Sequence, residues 1–266
     1  MSALSVVIIT RNEEHNIVGC IQSAKQISDD IIVVDACSND QTVALAIESG
    51  AKVFSVNWKG YGASRNFGAL KAQNDWILAL DADERISNTL HTSIRRLKFT
   101  DTNCIYRFRR KNFVGDKEMS FGTLGFETVK RIYNRKYAQC DLTLVHEKLV
   151  APTATRKLIT GHIDHFGLKN ESAYKERAVL YAQMSAKKYF LDGRKINLLK
   201  LLASPVFNSV KSYIFQLGFL DGRTGWISAK TIASYSWLKY FYLHRLWKQS
   251  KTKAINLSLN PKVERA

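Results

Sequence analysis

The chain has 266 residues, is 45% hydrophobic and carries a formal net charge of +17. That length and apolar content allow a sizeable core and exclude general disorder, and the positive balance points to an anionic partner: nucleic acid, phospholipid or a phosphorylated substrate. The charge is uneven. Residues 170–266 hold 17 Lys/Arg against 5 Asp/Glu, whereas residues 1–169 hold 23 against 18. An ordinary soluble domain over 1–170 is therefore expected to precede a basic, aromatic-rich segment over 171–266.

Leu4 to Thr10 is a β-branched apolar run without a basic region ahead of it, and it reads as a first strand instead of a signal peptide. Asn12 to Ala24 follows with Ile17, Cys20, Ile21 and Ala24 at helical spacing. Ile31 to Val34 predicts a second strand ending at Asp35, and Asp40 to Ser49 a helix stopped by Gly50. Lys52 to Val56 predicts a third strand, Ala63 to Gln73 a helix, and Trp76 to Leu80 a fourth strand. Short apolar strands alternating with helices argue for a parallel sheet covered on both faces. Ligands of such sheets sit beyond the carboxyl ends of the strands, where Thr10, Asp35 and Asp81 fall. Beyond residue 100, strands are predicted at Ile105 to Arg109, Lys130 to Tyr133 and Leu144 to Val150, followed by a loop containing Gly161 and a helix from Ser172 to Leu191. The cysteines at 20, 37, 104 and 140 show no CxxC spacing, so reduced thiols are expected in place of a zinc or redox site.

The fourth strand runs directly into Asp81, Asp83 and Glu84. Mutual repulsion makes that cluster costly unless a cation, a base or solvent compensates it. Asp81 and Asp83 on a turn can hold a divalent ion that bridges to phosphate oxygens, although a lone DxD equally describes a solvated acidic turn. Asp35 can accept from a base N–H or a ribose hydroxyl. The stretch GYGASRN, residues 60–66, opens a helix, which suits an anion; Arg65 can pair with phosphate or form a surface salt bridge. Neither GxGxxG after the first strand nor GxxxxGK[ST] occurs, which argues against a dehydrogenase or a P-loop NTPase.

SVVIITRNEEHNI, IIVVDACSNDQTV, GYGASRNFGAL and DWILALDADERI, in this order and spacing, resemble the family 2 inverting glycosyltransferases of the GT-A fold. RIYNRKYAQCDLTLVHEKL, GHIDHFG and FLDGRTGWISA resemble the bacterial lipopolysaccharide-core glucosyltransferase branch. The resemblance implies an α/β fold with a mainly parallel central sheet flanked by helices, followed by a helical extension. It implies that Thr10 and Glu13 line the base, Asp35 contacts uracil or ribose, Asp81 contacts the ribose, and Asp83 carries a divalent cation (Mg²⁺ or Mn²⁺) and the diphosphate, with Asp81 beside it at the metal and Arg65 at the donor. Many members carry their base in a Glu-Asp pair; this chain has His146-Glu147 there. Glu147 is the implied base for the acceptor hydroxyl. His146 is an orienting neighbour, a phosphate contact or a structural hydrogen bond. His162 and His165 are further candidates for the metal or diphosphate, with packing under a loop as the simpler reading.

Ala203 to Leu220 and Ser228 to Trp247 are apolar and aromatic, but Lys211, Lys230 and Lys239 interrupt them, as do Pro205 and Asp221-Gly222-Arg223. Membrane-surface helices on anionic head groups fit better than spans; helices packed on the domain or at a dimer interface are the alternative. No nucleic-acid motif is present. The expected protein is a metal-dependent inverting hexosyltransferase using a UDP-sugar, UDP-glucose foremost. It would act on a lipopolysaccharide-core or other cell-envelope glycolipid, peripherally on the cytoplasmic face of the bacterial inner membrane. The alternative is a noncatalytic membrane-surface or glycan-binding protein that keeps the fold.

Overall fold

The computed structural model describes residues 4–125, 127–143, 148–168, 170–195 and 198–259. His146 and Glu147, and most of the strand predicted over Leu144 to Val150, lie outside the described residues. The chain divides into two compact units, Met1–Lys169 and Asn170–Ala266.

The first unit opens with β1 (Leu4–Thr10), α1 (Ile17–Lys25), β2 (Ile31–Asp35), α2 (Thr42–Glu48), β3 (Lys52–Ser55), α3 (Tyr61–Lys71) and β4 (Trp76–Asp81). It continues with β5 (Glu84–Ile86), α4 (Asn88–Arg95), β6 (Cys104–Val114), β7 (Lys117–Met119), α5 (Gly122–Gly125) and β8 (Glu127–Asn134). A small hairpin of β9 (Gln139–Cys140) and β10 (Leu149–Val150) precedes the long β11 (Thr155–Leu168). The described strands form a nine-stranded sheet in the order β3-β2-β1-β4-β8-β6-β11-β5, with β7 paired to β6.

The period-two alternation of the strands divides the core. Leu4, Val6 and Ile8 face α1 residues Ile17 and Ile21 and α4 residues Leu90 and Ile94 in one cluster. Val7, Ile9, Ile32 and Val34 face Ala69 of α3 in the other. The predicted α/β alternation is present from β1 to β4, where every neighbouring pair is parallel. The rest of the sheet departs from the mainly parallel expectation. β8 pairs antiparallel with both β4 and β6, and β5 antiparallel with β11, while β11 runs parallel to β6. Between β6 and β8 the chain has only a short strand and a single helical turn, too little for the helical crossover that parallel neighbours require. Gly161 lies within β11 and not in a loop. It takes φ +106° at a register shift in which β11 advances from Leu158 to His162 while β6 advances only from Arg107 to Arg109, so two extra residues are absorbed as a bulge.

The second unit contains α6 (Glu171–Leu191), α7 (Leu198–Val210), a π-helical turn (Lys211–Phe215), a 3₁₀ turn (Gly218–Asp221) and α8 (Gly222–Leu259). Ala178, Ala182, Ser185 and Ala186 give α6 a small-residue face, and Ser185 Oγ lies 3.0 Å from Tyr235 Oη on α8. Pro205 sits inside α7, and α8 begins at the break predicted around Gly222. No described helix is long and apolar enough to cross a membrane.

Asp30, just before β2, ties together the starts of β1 and β3 and the approach to β4. Its buried carboxylate accepts from Ser5 Oγ at 2.6 Å, Lys52 Nζ at 2.8 Å and the Gln73 backbone N–H at 2.8 Å. Burial opposes its charge, but these bonds outweigh burial and hold the carboxyl below its usual range. A lowered folded-state pKa gives stabilisation that is complete above the unfolded value of about 4 and is lost as pH falls through the folded one. Asp30→Ala should therefore cost about 3 kcal/mol at neutral pH, the scale of losing charged hydrogen bonds. Its deficit against the wild type should shrink on acidification below about pH 4. Urea melts across that window check this, and a deficit that does not change with pH contradicts it.

Candidate functional site

Parallel register collects three of the expected residues. Thr10 at the end of β1 pairs with Asp35 at the end of β2, and Ile9 pairs with Asp81 at the end of β4. The loops after β1 and β2 are laced together. Asn12 N–H donates to Ser38 Oγ, Glu13 N–H to Thr42 Oγ1, and Asn39 N–H back to Asn12 Oδ1, at 2.8–2.9 Å. Asp35 is buried and accepts from the Ser38 N–H at 2.9 Å and from the Ser38 hydroxyl. The buried Thr10 hydroxyl has no hydrogen-bond partner among the described residues, as expected of a group that faces a ligand. The Glu13 carboxylate accepts from Asn16 Nδ2 at 2.8 Å.

The carboxylates after β4 are compensated mainly by arginines. Asp81 Oδ1 accepts from Arg65 at 2.6 Å and Oδ2 from Arg131 at 2.8 Å. The same Arg131 nitrogen donates to Glu84 Oε1 at 2.7 Å, and Glu84 Oε2 accepts the Asp81 backbone N–H at 3.0 Å. Arg110 lies 3.4 Å from Glu84 and bonds Glu127 at 2.7 Å. Three guanidinium groups thus face three carboxylates. Burial opposes the charge on Asp81, but Arg131 and Arg65 overcome it and hold the carboxyl far below its usual range. Glu84 is fully buried, and burial pushes its carboxyl up, Arg131 offsetting this in part. Arg65, read from sequence as a phosphate contact or a surface salt bridge, is a buried ion-pair partner.

Asp83 has different neighbours. Its Oδ2 lies 3.4 Å from His165 Nε2. Asn112 fixes the imidazole: its Nδ2 donates to the Leu124 carbonyl at 2.7 Å and to Glu127 at 3.2 Å, so its Oδ1 must be the acceptor 2.8 Å from His165 Nδ1. The Nδ1–H therefore donates to Asn112, and Nε2 faces the Asp83 carboxylate, where a protonated ring can donate to it and a neutral ring can share a cation with it. His162 instead lies 3.4 Å from Asp164. Of the two histidines considered from sequence, the fold brings His165 to the acidic turn.

The β9–β10 hairpin carries the segment that contains His146 and Glu147. Its ends are closed by Asp141, whose N–H donates to the Lys148 carbonyl at 2.9 Å and whose Oδ1 accepts from Thr143 Oγ1 at 2.6 Å and the Lys148 N–H at 3.2 Å. Asn66 on α3 grips the hairpin through both its amide atoms, to Cys140 N–H and O. A Cβ on Gly62 would lie 1.9 Å from the Asp141 carbonyl oxygen, so glycine is required where α3 meets the hairpin. One helix therefore sets both Arg65 and the hairpin base. Arg131, Arg110, Glu127 and Asn112 were not singled out from sequence, because each reaches the turn from a strand whose neighbours are set only by the sheet order.

Comparisons agree with the motifs. The glycosyl transferase family 2 model matches residues 5–163. An uncharacterized glycosyltransferase of Rickettsia prowazekii is 30% identical, over 92% of this chain and 88% of its own. The lipopolysaccharide core biosynthesis glycosyltransferase LpsC of Rhizobium meliloti is 26% identical over 91% and 93%. The crystal structure of S. aureus TarS 1-349 with UDP aligns over 90% of each chain at 16% identity and a TM-score of 0.48.

Arg131→Ala removes a partner from both Asp81 and the buried Glu84. Breaking such a buried pair costs about 3–5 kcal/mol. Chemical denaturation should show a loss of that size, and a loss within about 1 kcal/mol, the scale of a surface pair, would contradict the network.

Proposed function

Because the chain belongs to glycosyl transferase family 2, we propose that it is an inverting, divalent-cation-dependent hexosyltransferase. It moves glucose from UDP-glucose to a lipopolysaccharide-core or related cell-envelope glycolipid at the cytoplasmic face of the bacterial inner membrane. The observation that carries this reading is the Asp83–His165 pair at the turn that follows β4, the strand whose end at Asp81 lies in register with the ends of β1 and β2 at Thr10 and Asp35. The name of the Rhizobium meliloti relative supports the acceptor class.

One carboxylate oxygen and one imidazole nitrogen suit a borderline divalent ion such as Mn²⁺, held partly by substrate, better than Mg²⁺. No group of three metal-type side chains assembles among the described residues. An ion at a nucleotide-sugar site can take few protein ligands and complete its shell with phosphate oxygens and water. Both Asp81 oxygens already bond arginines, so Asp83 and His165 are the assigned ligands and Asp81 positions Arg65 and Arg131. The bound cation would stabilise charge on the departing diphosphate. Asp35 and the Thr10 hydroxyl hold the nucleoside, and the laced loops with Glu13 form the bed for its base. Glu147 takes the acceptor hydroxyl proton as that oxygen bonds the anomeric carbon, and the bond to UDP breaks on the opposite face. His146 orients Glu147 or meets a phosphate oxygen.

A panel of UDP- and GDP-sugars, assayed for nucleotide release, tests the reading. UDP should be released from UDP-glucose in preference to the others, with activity lost in EDTA and restored by Mn²⁺. Metal-independent release, or no nucleotide binding, contradicts it. Glu147→Gln should lower turnover by about 10²–10⁴-fold while UDP affinity by calorimetry stays near wild type. Near-normal turnover in that variant would remove Glu147 as the base.

A further inference from the structure

The second unit carries a turn whose polarity is inverted. From Lys211 to Asp221, the polar Ser212 and Asp221 are buried, while Ile214, Phe215, Phe219 and Leu220 are exposed, Phe215 at 76%. The exposed apolar surface continues along α7, where Leu202, Val206 and Val210 recur four residues apart and lead to Ile214. On α8 beyond Trp226, the exposed large apolar side chains through residue 250 are Trp237 and Phe241. The apolar surface is thus concentrated on α7 and its turn.

The turn is tightly built. A Cβ on Gly225 would lie 1.8 Å from the Gly218 carbonyl oxygen, and one on Gly218 would lie 2.6 Å from the Ser212 carbonyl oxygen. Leu217 takes the left-handed φ of +57° between the π and 3₁₀ turns. This packing leaves the apolar side chains pointing outward from a fixed backbone.

The surrounding charge selects the partner. Residues 193–250 contain nine Lys/Arg and one acid, Asp221, which is buried. Lys200, Lys211, Arg223 and Lys230 are exposed around the apolar surface. A second copy docking face to face would bring the same cations together without a carboxylate to pair them, whereas an anionic bilayer offers both apolar depth and negative head groups.

We propose that the outer stripe of α7 and the turn at 211–221 form one lipid-embedded patch on an anionic bilayer, with the basic side chains at its rim. This deepens the membrane-facing reading of the protein and rests on it. It assigns insertion to α7 and its turn, and not to the length of α8.

Co-sedimentation of the full-length protein with vesicles tests the assignment. The wild type should bind mixed phosphatidylglycerol–phosphatidylcholine vesicles, and bind phosphatidylcholine alone more weakly. High salt should weaken binding without abolishing it, because the apolar part is unscreened. The double variant Phe215→Asp, Leu220→Asp should bind at least about tenfold more weakly, since losing the burial of two large apolar side chains exceeds that factor. The exposed Leu70→Asp on the first unit should bind like wild type. Wild type that stays in the supernatant, or a double variant that sediments equally, overturns the proposal. So does a wild-type dimer that the double substitution dissociates while neither form binds vesicles. UDP calorimetry on the same proteins separates the two readings: vesicle binding without UDP binding would overturn the transferase reading and leave this one standing.

Discussion

One arginine nitrogen shared between Asp81 and Glu84 is the constraint around which the catalytic unit is arranged. Three carboxylates within four residues at the end of an apolar strand repel one another, and burial of Glu84 adds a desolvation cost. Arg131 can reach both groups only if β8 lies beside β4, and it does, with Ile132 opposite Leu78. Arg110 arrives from β6, the next strand, and Arg65 from α3, which packs on the face shared by Ile77 and Ala79 of β4. The change from parallel to mixed pairing after β4 is thus also what delivers the cations.

That compensation separates the three acids. Asp81 and Glu84 are held by guanidinium groups and give the turn its shape. Asp83 instead faces an imidazole whose orientation is fixed by Asn112, and in the proposed reading this is the carboxylate that shares the cation with His165. Asn112 and Arg110 both bond Glu127, so the orientation of His165 is tied to the ionic network. Shape and chemistry are divided among adjacent residues of one turn.

Much of the first half was legible in the sequence. Continuous apolar strands and helical spacing gave β1 to β4, and strand ends gave Thr10, Asp35 and Asp81 as neighbours. The acidic cluster raised a question of compensation that local sequence could not answer. Its partners lie 16 to 50 residues away, on a helix and on strands whose neighbours depend on sheet order. Gly161 read as a loop because a bulge inside a long strand has the same local signature as a turn. What separates His165 from His162, both candidates from sequence, is the pairing of β11 with β5, which sets His165 opposite Glu84. In the second unit the interruptions to the apolar run were visible, but not that they fold into a turn with its polar groups inside.

The central claim is the division of labour in the acidic turn, and anomalous diffraction from crystals soaked with Mn²⁺ and UDP tests it most directly. The predicted result is a manganese peak at bonding distance, roughly 2.0–2.3 Å, from Asp83 and His165, with Arg65 and Arg131 still on Asp81. A manganese ion bound to Asp81, with either arginine displaced, would contradict the account.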